Sequence, residues 1–369
     1  MPVRVTQIQL VDKIFLVGAP GIGKTEIIKQ LAAQEAQAKG KIFIDLREVD
    51  ERTLNDVLEN PNKYYVYYRI VAPHVFPEDL GIPRVNGSSG REYVEFLPPK
   101  VLKVISIDGI EGVLFLDEIT NVQRDDQLAM LYSLIQEKEA SWLLKLSRGV
   151  KIIAAGNPPE WSEIARPLPK PLRNRMTTVE VEPPTVDEWA AYMERRFGDS
   201  WEKLTYAYIK MFKEDFIRPP NEDDYSAFPT PRSWTNLAVL LHQFSYADPD
   251  FIEELVIGNV GREVGTKFIA VLKTKAEVRR LLEEIRRNPA AIDSFKVNEV
   301  ILVLHAVAQQ PLDVIAQSYK GFIEYLAGKH REHLTLMIML MNREKRVAFI
   351  KAFASLLKDV IKELAKYMG

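Results

Sequence analysis

The sequence contains no cysteine, so disulfides, thiolate zinc sites and cysteine nucleophiles are excluded. No stretch approaches the roughly 18 consecutive apolar residues that span a bilayer. Met1 to Lys13 holds no long apolar run behind a basic start, so no signal peptide is expected. Neither charge dominates: 49 Lys and Arg against 51 Asp and Glu leave a formal net charge of −2. No chain-wide basic field therefore announces nucleic acid as a partner. Histidine is scarce, with five residues. The pair in His330-Arg331-Glu332-His333 is not H-E-x-x-H and has no third ligand nearby, so it reads as a solvated helix face. These absences leave a soluble, cytoplasmic protein without a membrane partner as the expectation. At 369 residues and 47% hydrophobic, the chain can form two or three units, each with its own core.

What is present is a rhythm. Short apolar runs at 13–17, 42–44, 64–71, 113–116, 152–155 and 177–181 alternate with helical spacing, for example Ile27, Ile28, Leu31 and Ala32 before Gly40. Buried strands separated by helices predict an α/β fold, a mostly parallel sheet sandwiched by helices. The aromatic run Tyr64 to Tyr68 could suggest base stacking, but its place between helical segments makes it a sheet strand. Pro73 to Pro99, with Asn86-Gly87-Ser88-Ser89-Gly90, is a long loop of the kind that is functional or mobile. Ser141 to Gly149 alternates through Trp142, Leu144 and Leu146 and predicts a hairpin. After Pro183-Pro184 only helical patterns follow, apart from a polar, proline-rich loop at 214–233. The expected units are 1–184 (α/β core), 185–265 (helical lid) and 266–369 (C-terminal helices). The end of the last unit is amphipathic through Val347, Ile350, Phe353, Ala354, Leu357, Ile361 and Leu364, which predicts a helix packed on its own bundle.

Gly18-Ala19-Pro20-Gly21-Ile22-Gly23-Lys24-Thr25 matches G-x-x-x-x-G-K-S/T in the required setting of strand, loop and helix. Glycines let backbone N–H groups turn inward around phosphate oxygens, Lys24 places a positive charge on the β- and γ-phosphates, and the Thr25 hydroxyl can ligate Mg²⁺. The following helix adds the positive end of its dipole. ATP and Mg²⁺ are the expected ligands, with Gly18, Pro20, Gly21, Ile22, Gly23, Lys24, Thr25 and Glu26 around the nucleotide. Val113 to Leu116 ends in Asp117-Glu118. Alone, two acids there could equally cap the helix that begins near Asp125. Behind a phosphate loop in the same sheet, Asp117 reads as the Mg²⁺ carboxylate and Glu118 as the base that polarises the attacking water.

At these residues the chain resembles a MoxR-type AAA+ ATPase, of the branch with an insert in its second helix and the stand-alone prokaryotic type. The resemblance covers Lys13 to about Phe268. Ala154-Ala155-Gly156-Asn157-Pro158 is similar to sensor 1, which implies that Asn157 orients water against the γ-phosphate; on its own it could be an Asx turn before Pro158. Pro171-Leu172-Arg173-Asn174-Arg175 is similar to the stretch with the arginine finger. Arg175 is the implied finger and Arg173 the alternative, in a role that contributes ~10³–10⁵ in rate. Met176 stands where the family usually has Phe. Pro229-Thr230-Pro231-Arg232-Ser233-Trp234 is similar to the start of the sensor 2 helix. A cation is unfavourable at a helix N-terminus, so Arg232 there suggests a phosphate partner. The segment Pro77 to Pro83 belongs to the insert, which the resemblance makes a pore or substrate-contact element.

The resemblance further implies a homo-oligomeric ring, most simply a hexamer, and a partner with a von Willebrand factor A domain. The chain opens almost at its first core strand, so recruitment is expected to fall to the insert, the C-terminal helices or a separate adaptor. Three readings stay open at this point: an ATPase that remodels a client protein, an ATP-gated assembly module that hydrolyses rarely, and a nucleic-acid translocase using Arg84, Arg91 and Lys100. The neutral charge argues against the last.

Overall fold

Each short apolar run of the first half becomes a strand, because it supplies side chains for both faces of a covered sheet. The computed structural model describes residues 2–87, 92–141, 144–220, 226–246, 248–273 and 277–357. They divide into two units, Met1–Pro183 and Pro184–Gly369. Among the described residues no single helix is long and apolar enough to cross a membrane.

In the first unit the strands are β1 (Val3–Arg4), β2 (Ile14–Val17), β3 (Ile42–Asp45), β4 (Tyr64–Val71), β5 (Ile82–Asn86), β6 (Tyr93–Leu97), β7 (Glu111–Asp117), β8 (Glu139–Ser141), β9 (Leu144–Lys145), β10 (Gly149–Gly156) and β11 (Thr177–Glu182). The helices are α1 (Lys24–Ala38), α2 (Glu51–Glu59), α3 (Lys100–Val104), α4 (Asp125–Glu137) and α5 (Lys170–Arg173). Seven strands form one sheet in the order β1-β11-β2-β10-β7-β4-β3, and every neighbouring pair is parallel. Helices flank it, as the alternating pattern requires. Side chains alternate across a strand. Leu114, Leu116 and Val66 therefore enter the core that holds Leu131, Leu134 and Ile135 of α4. On the opposite face Tyr67 stacks against Phe115 and meets Phe43 at a tilt, and α1 covers β3, β4 and β7. Tyr64 to Tyr68 is strand, and Tyr64, Tyr65 and Tyr67 are buried there.

Part of the 73–99 segment is not loop. β5 and β6 pair antiparallel, with Arg84 opposite Glu95 and Val85 opposite Val94. It offers no apolar–polar alternation to read, because both faces of this hairpin are exposed: Ile82, Val85, Tyr93 and Val94 all face solvent. Ser88 to Arg91 and Trp142 lie outside the described residues. β8 and β9 form the short hairpin expected near 141–149.

The second unit holds eleven α-helices among its described residues. The switch after Pro183-Pro184 is written in a capping box: Thr185 Oγ1 accepts from Glu188 N (3.2 Å) and Thr185 N donates to Glu188 Oε2 (2.8 Å). The helix Val186–Phe197 follows and buries Trp189, Ala190 and Met193. A single apolar core runs from Val186 to Leu357. The expected boundary at 265/266 falls inside the helix Arg262–Lys273, whose Val264, Phe268, Ile269 and Val271 all enter that core.

Two expectations for this unit need correction. His330 is not on a helix face: it precedes the helix Arg331–Met339 with non-helical backbone and pairs with Asp293 Oδ1 at 2.8 Å. Among the described residues the last helix is Arg343–Ala352, and turns follow at 353–356. Phe349, Phe353 and Leu357 reach the core while Val347 is exposed; Ile361 and Leu364 lie outside the described residues.

Candidate active site

The carboxyl ends of β2, β10, β7 and β4 lie side by side: Val17 is in register with Gly156, Leu116 with Ala154, and Val71 with Asp117. Chain reversal over such an edge leaves a crevice where ligands bind in open α/β sheets. β2 runs into the glycine-rich loop, and the loop into α1. Gly21 (φ 71°) and Gly23 (φ 99°) adopt left-handed backbone that a side chain disfavours. Gly18 packs against β11, where a Cβ would lie 2.5 Å from the Val181 carbonyl oxygen. Ile27 N is the first amide to bond back, to Gly23 O. The amides of Lys24, Thr25 and Glu26 therefore have no intrahelical acceptor, as at any helix start.

Lys24 is only 7% exposed. A buried ammonium must spend its donors, and its Nζ gives them to Gly18 O (2.6 Å), Ala19 O (2.8 Å) and Asn157 Oδ1 (3.1 Å). Asn157 follows β10 directly. Its backbone N donates to Thr120 Oγ1 (3.0 Å), and Arg166 N donates to Thr120 O (2.8 Å). Thr120 thus fastens the end of β10 to the loop after β7. Gly156 permits that approach, since a Cβ there would meet Thr120 Cγ2 at 2.5 Å.

Asp117 ends β7 and is 6% exposed. Its Oδ2 accepts from Thr25 Oγ1 (2.9 Å) and from Arg69 Nε (2.9 Å); its Oδ1 accepts from Glu118 N (3.0 Å). Glu118 has left-handed backbone (φ 57°, ψ 33°), which costs a non-glycine residue about 1–3 kcal/mol and is held where the surroundings over-determine it. The turn carries the chain off the strand and leaves the Glu118 carboxylate with a long contact to Asn121 Nδ2 (3.4 Å) and no ion pair among the described residues.

The structure therefore gathers Lys24, Thr25, Asp117, Glu118 and Asn157 at one edge. Pro20 is half-buried and Ile22 buried within the loop, whereas Glu26 is exposed and accepts from Gln30 one turn on. Arg173 and Arg175 are both exposed. Arg175 donates to Pro171 O (3.2 Å) and its guanidinium carbon lies 5.9 Å over the Tyr132 ring. Neither hydrogen-bonds to the cluster. Arg232 belongs to the second unit and is exposed in the first turn of the helix Pro231–Gln243, behind the Thr230 cap. Sequence reasoning missed Arg69 and Thr120. Arg69 carried a signal, a lone charge inside a buried strand; Thr120 carried none.

Residues 14–182 match the family model described as AAA, the ATPase family associated with various cellular activities. No curated protein matches the chain. Among solved structures, NtrX from Brucella abortus is similar with 13% identity and a TM-score of 0.35, over 86% of this chain and 66% of that one, just under two thirds of its length. RuvB from Thermotoga maritima, in two variant forms, is similar with 15% identity and TM-scores of 0.30 and 0.27, over 86% and 88% of this chain and 81% and 83% of those chains.

Proposed function

We propose, from the premise that residues 14–182 are a P-loop ATPase domain of the AAA family, that the protein hydrolyses ATP with Mg²⁺ in a ring of its own copies and couples turnover to remodelling or activating a partner protein. The observation that carries the chemistry is the meeting of Lys24 with Asn157 and of Thr25 with Asp117, with Glu118 one residue on. Lys24 already points its ammonium into the loop that turns around phosphate oxygens. Asn157, tethered to it at 3.1 Å, is placed to orient a water, and Glu118 to take that water's proton. A hydroxyl and a carboxylate 2.9 Å apart are hard oxygen donors that suit Mg²⁺, so Thr25 and Asp117 would hold it. Bound there, the ion would neutralise charge on the β- and γ-phosphates.

A module that only binds ATP does not need Glu118, Asn157 and an arginine finger together, which favours turnover over an assembly switch. The MoxR-type reading adds a hexameric ring, an exposed Arg175 acting on a neighbour's ATP, sensor 2 at Arg232, and an adaptor with a von Willebrand factor A domain. The solvent-facing apolar residues of the β5–β6 hairpin support a contact surface for adaptor or client.

Steady-state phosphate release, with and without DNA, tests the reading. Glu118→Gln is expected to retain ATP and stop turnover; release at the wild-type rate removes the role assigned to Glu118, and strong stimulation by DNA favours a translocase. For the ring, Arg175→Ala mixed with Lys24→Ala should recover part of the activity that each lacks alone. No recovery in confirmed mixed assemblies moves the finger, first to Arg173. Capture with the Glu118→Gln variant in ATP should retain a von Willebrand-type protein; its absence leaves a motor without that adaptor.

A further inference from the structure

Asp117 is held by a cation that the hydrolysis chemistry above does not require. Arg69 lies near the end of β4, where register puts Val71 beside Asp117. Its Nε (2.9 Å) and Nη2 (2.8 Å) both reach Asp117 Oδ2. That same oxygen accepts the Thr25 hydroxyl, so it belongs to the pair that would hold Mg²⁺. The two partners differ in burial. The Asp117 side chain is 9% exposed and the Arg69 side chain 30%. A buried carboxylate needs a counter-charge, whereas a guanidinium at the rim can swing to water at little cost. Asp117 is the fixed member and Arg69 the exchangeable one.

The geometry points to Arg69 as a positioning residue that competes with the divalent cation for Asp117. It neutralises the carboxylate while no metal is held and yields when Mg²⁺ takes the Thr25–Asp117 pair. This rests on the nucleotide reading above. Two consequences separate it from a structural strut. Without Arg69, an uncompensated Asp117 repels the phosphates of metal-free nucleotide. The same bare carboxylate takes Mg²⁺ more readily once metal is supplied. The gain in nucleotide affinity that Mg²⁺ confers therefore grows when Arg69 is removed.

The test uses the full chain and fluorescent ADP, titrated first in EDTA and then in saturating Mg²⁺, so no turnover is needed. The ratio of the two affinities is read for wild type, Arg69→Gln and Arg69→Lys. The ratio should rise roughly tenfold in Arg69→Gln, the scale of one lost charge-assisted contact. Lysine keeps the charge and loses the fork, so its ratio should fall between the two. A ratio within about twofold of wild type in folded Arg69→Gln overturns the inference, as does a parallel loss of both affinities. If Arg69→Gln does not fold, Arg69→Lys decides: a raised ratio supports the competition and an unchanged one removes it. Failure of the wild type to bind ADP under either condition overturns the nucleotide reading itself, a result distinct from binding with an unaltered ratio.

Discussion

Both units bury charged side chains, and they use them differently. In the first, Lys24 and Asp117 sit at the open edge of the sheet, and their partners are loop carbonyls, an amide, a hydroxyl and a rim arginine. On the proposed nucleotide reading, these are the partners that a ligand would replace. In the second, Arg346 is 5% exposed and committed to the backbone. It donates to Ile338 O (3.2 Å), Met339 O (2.9 Å) and Met341 O (3.0 Å) and pairs with Glu194 Oε1 (3.0 Å). Those are carbonyls at and just beyond the end of the helix Arg331–Met339, which lack helical donors and favour a cation. Lys203 completes the cluster through Met341 O (2.9 Å) and Glu194 Oε1 (3.2 Å). Asp215, fully buried, is likewise closed in by Tyr208 Oη (2.6 Å) and Arg218. A buried charge with exchangeable partners suits a binding site; one with irreplaceable partners suits a clamp.

The sharpest way to break this comparison is to delete one charge from each unit. Arg346→Ala removes the cation from Ile338 O and Met339 O and leaves Glu194 and Met341 O to Lys203 alone. It should cost about 3 kcal/mol or more of stability, since several hydrogen bonds to one charged group are lost, each about 1.5–3 kcal/mol. Lys24→Ala frees Gly18 O and Ala19 O, and the space left by the side chain at the edge of the sheet lets water take the place of its ammonium. It should change stability by about 1 kcal/mol or less while abolishing nucleotide binding. Urea unfolding with and without fluorescent ADP measures both. Equal stability losses in the two variants would erase the distinction.

How much of this was legible beforehand follows from the same contrast. Exchangeable sites are read by motif: the glycine spacing, Lys24, Thr25 and the acidic pair sit close together in sequence or end an apolar strand, so type and context sufficed. The six major strands were visible for the same reason, since each is a short buried run. Clamps join distant segments, as Glu194 and Arg346 do, and nothing local marks them. Nothing near Arg346 in the sequence distinguishes it from Arg343 or Lys345 beside it. The β5–β6 hairpin was missed because it faces water on both sides and lacks the apolar–polar alternation that a half-buried strand shows. Arg69 stands between these cases: its charge was conspicuous in a buried strand, but its partner could be found only from the register of β4 on β7.

A smaller effect sharpens the comparison from the side of the site. Gly156→Ala pushes a Cβ against Thr120, 2.5 Å away in the present packing. Overpacking of this kind costs about 1–3 kcal/mol. Because Thr120 also holds the Asn157 amide, the displacement should lower phosphate release more than it lowers ADP affinity. Thr120→Ser in the same background removes the methyl, the nearer of the two obstructing atoms, and keeps the hydroxyl at 2.8 Å, and should recover part of the loss. No recovery would mean that Thr120 does not set the position of Asn157.

The smallest expected effect concerns a polar group of the second unit that is not closed in. Among the described residues His333 Nδ1 is buried without a hydrogen-bond partner, and its ring stacks on His330 at 5.2 Å. Burial, and then the neighbouring His330, push its pKa below the ordinary 6.5. A histidine whose folded pKa is lowered favours the unfolded chain as the medium acidifies, because the unfolded state takes the proton first. Its contribution is full above about 6.5 and is lost as pH falls through that value toward the folded pKa. Asp293 holds His330 from the other side, and its own carboxyl is kept below the usual range by Tyr325 and then by His330, so it adds nothing to the slope between pH 7 and 5. Unfolding free energies from urea titrations at pH 7.5 and 5.0 should therefore draw closer together in His333→Gln than in wild type, by an amount under about 1 kcal/mol. An unchanged gap would show that His333 takes up its proton without opening the helical core, and that this core tolerates an unpaired charge which the clamps at Arg346 and Asp215 were built to avoid.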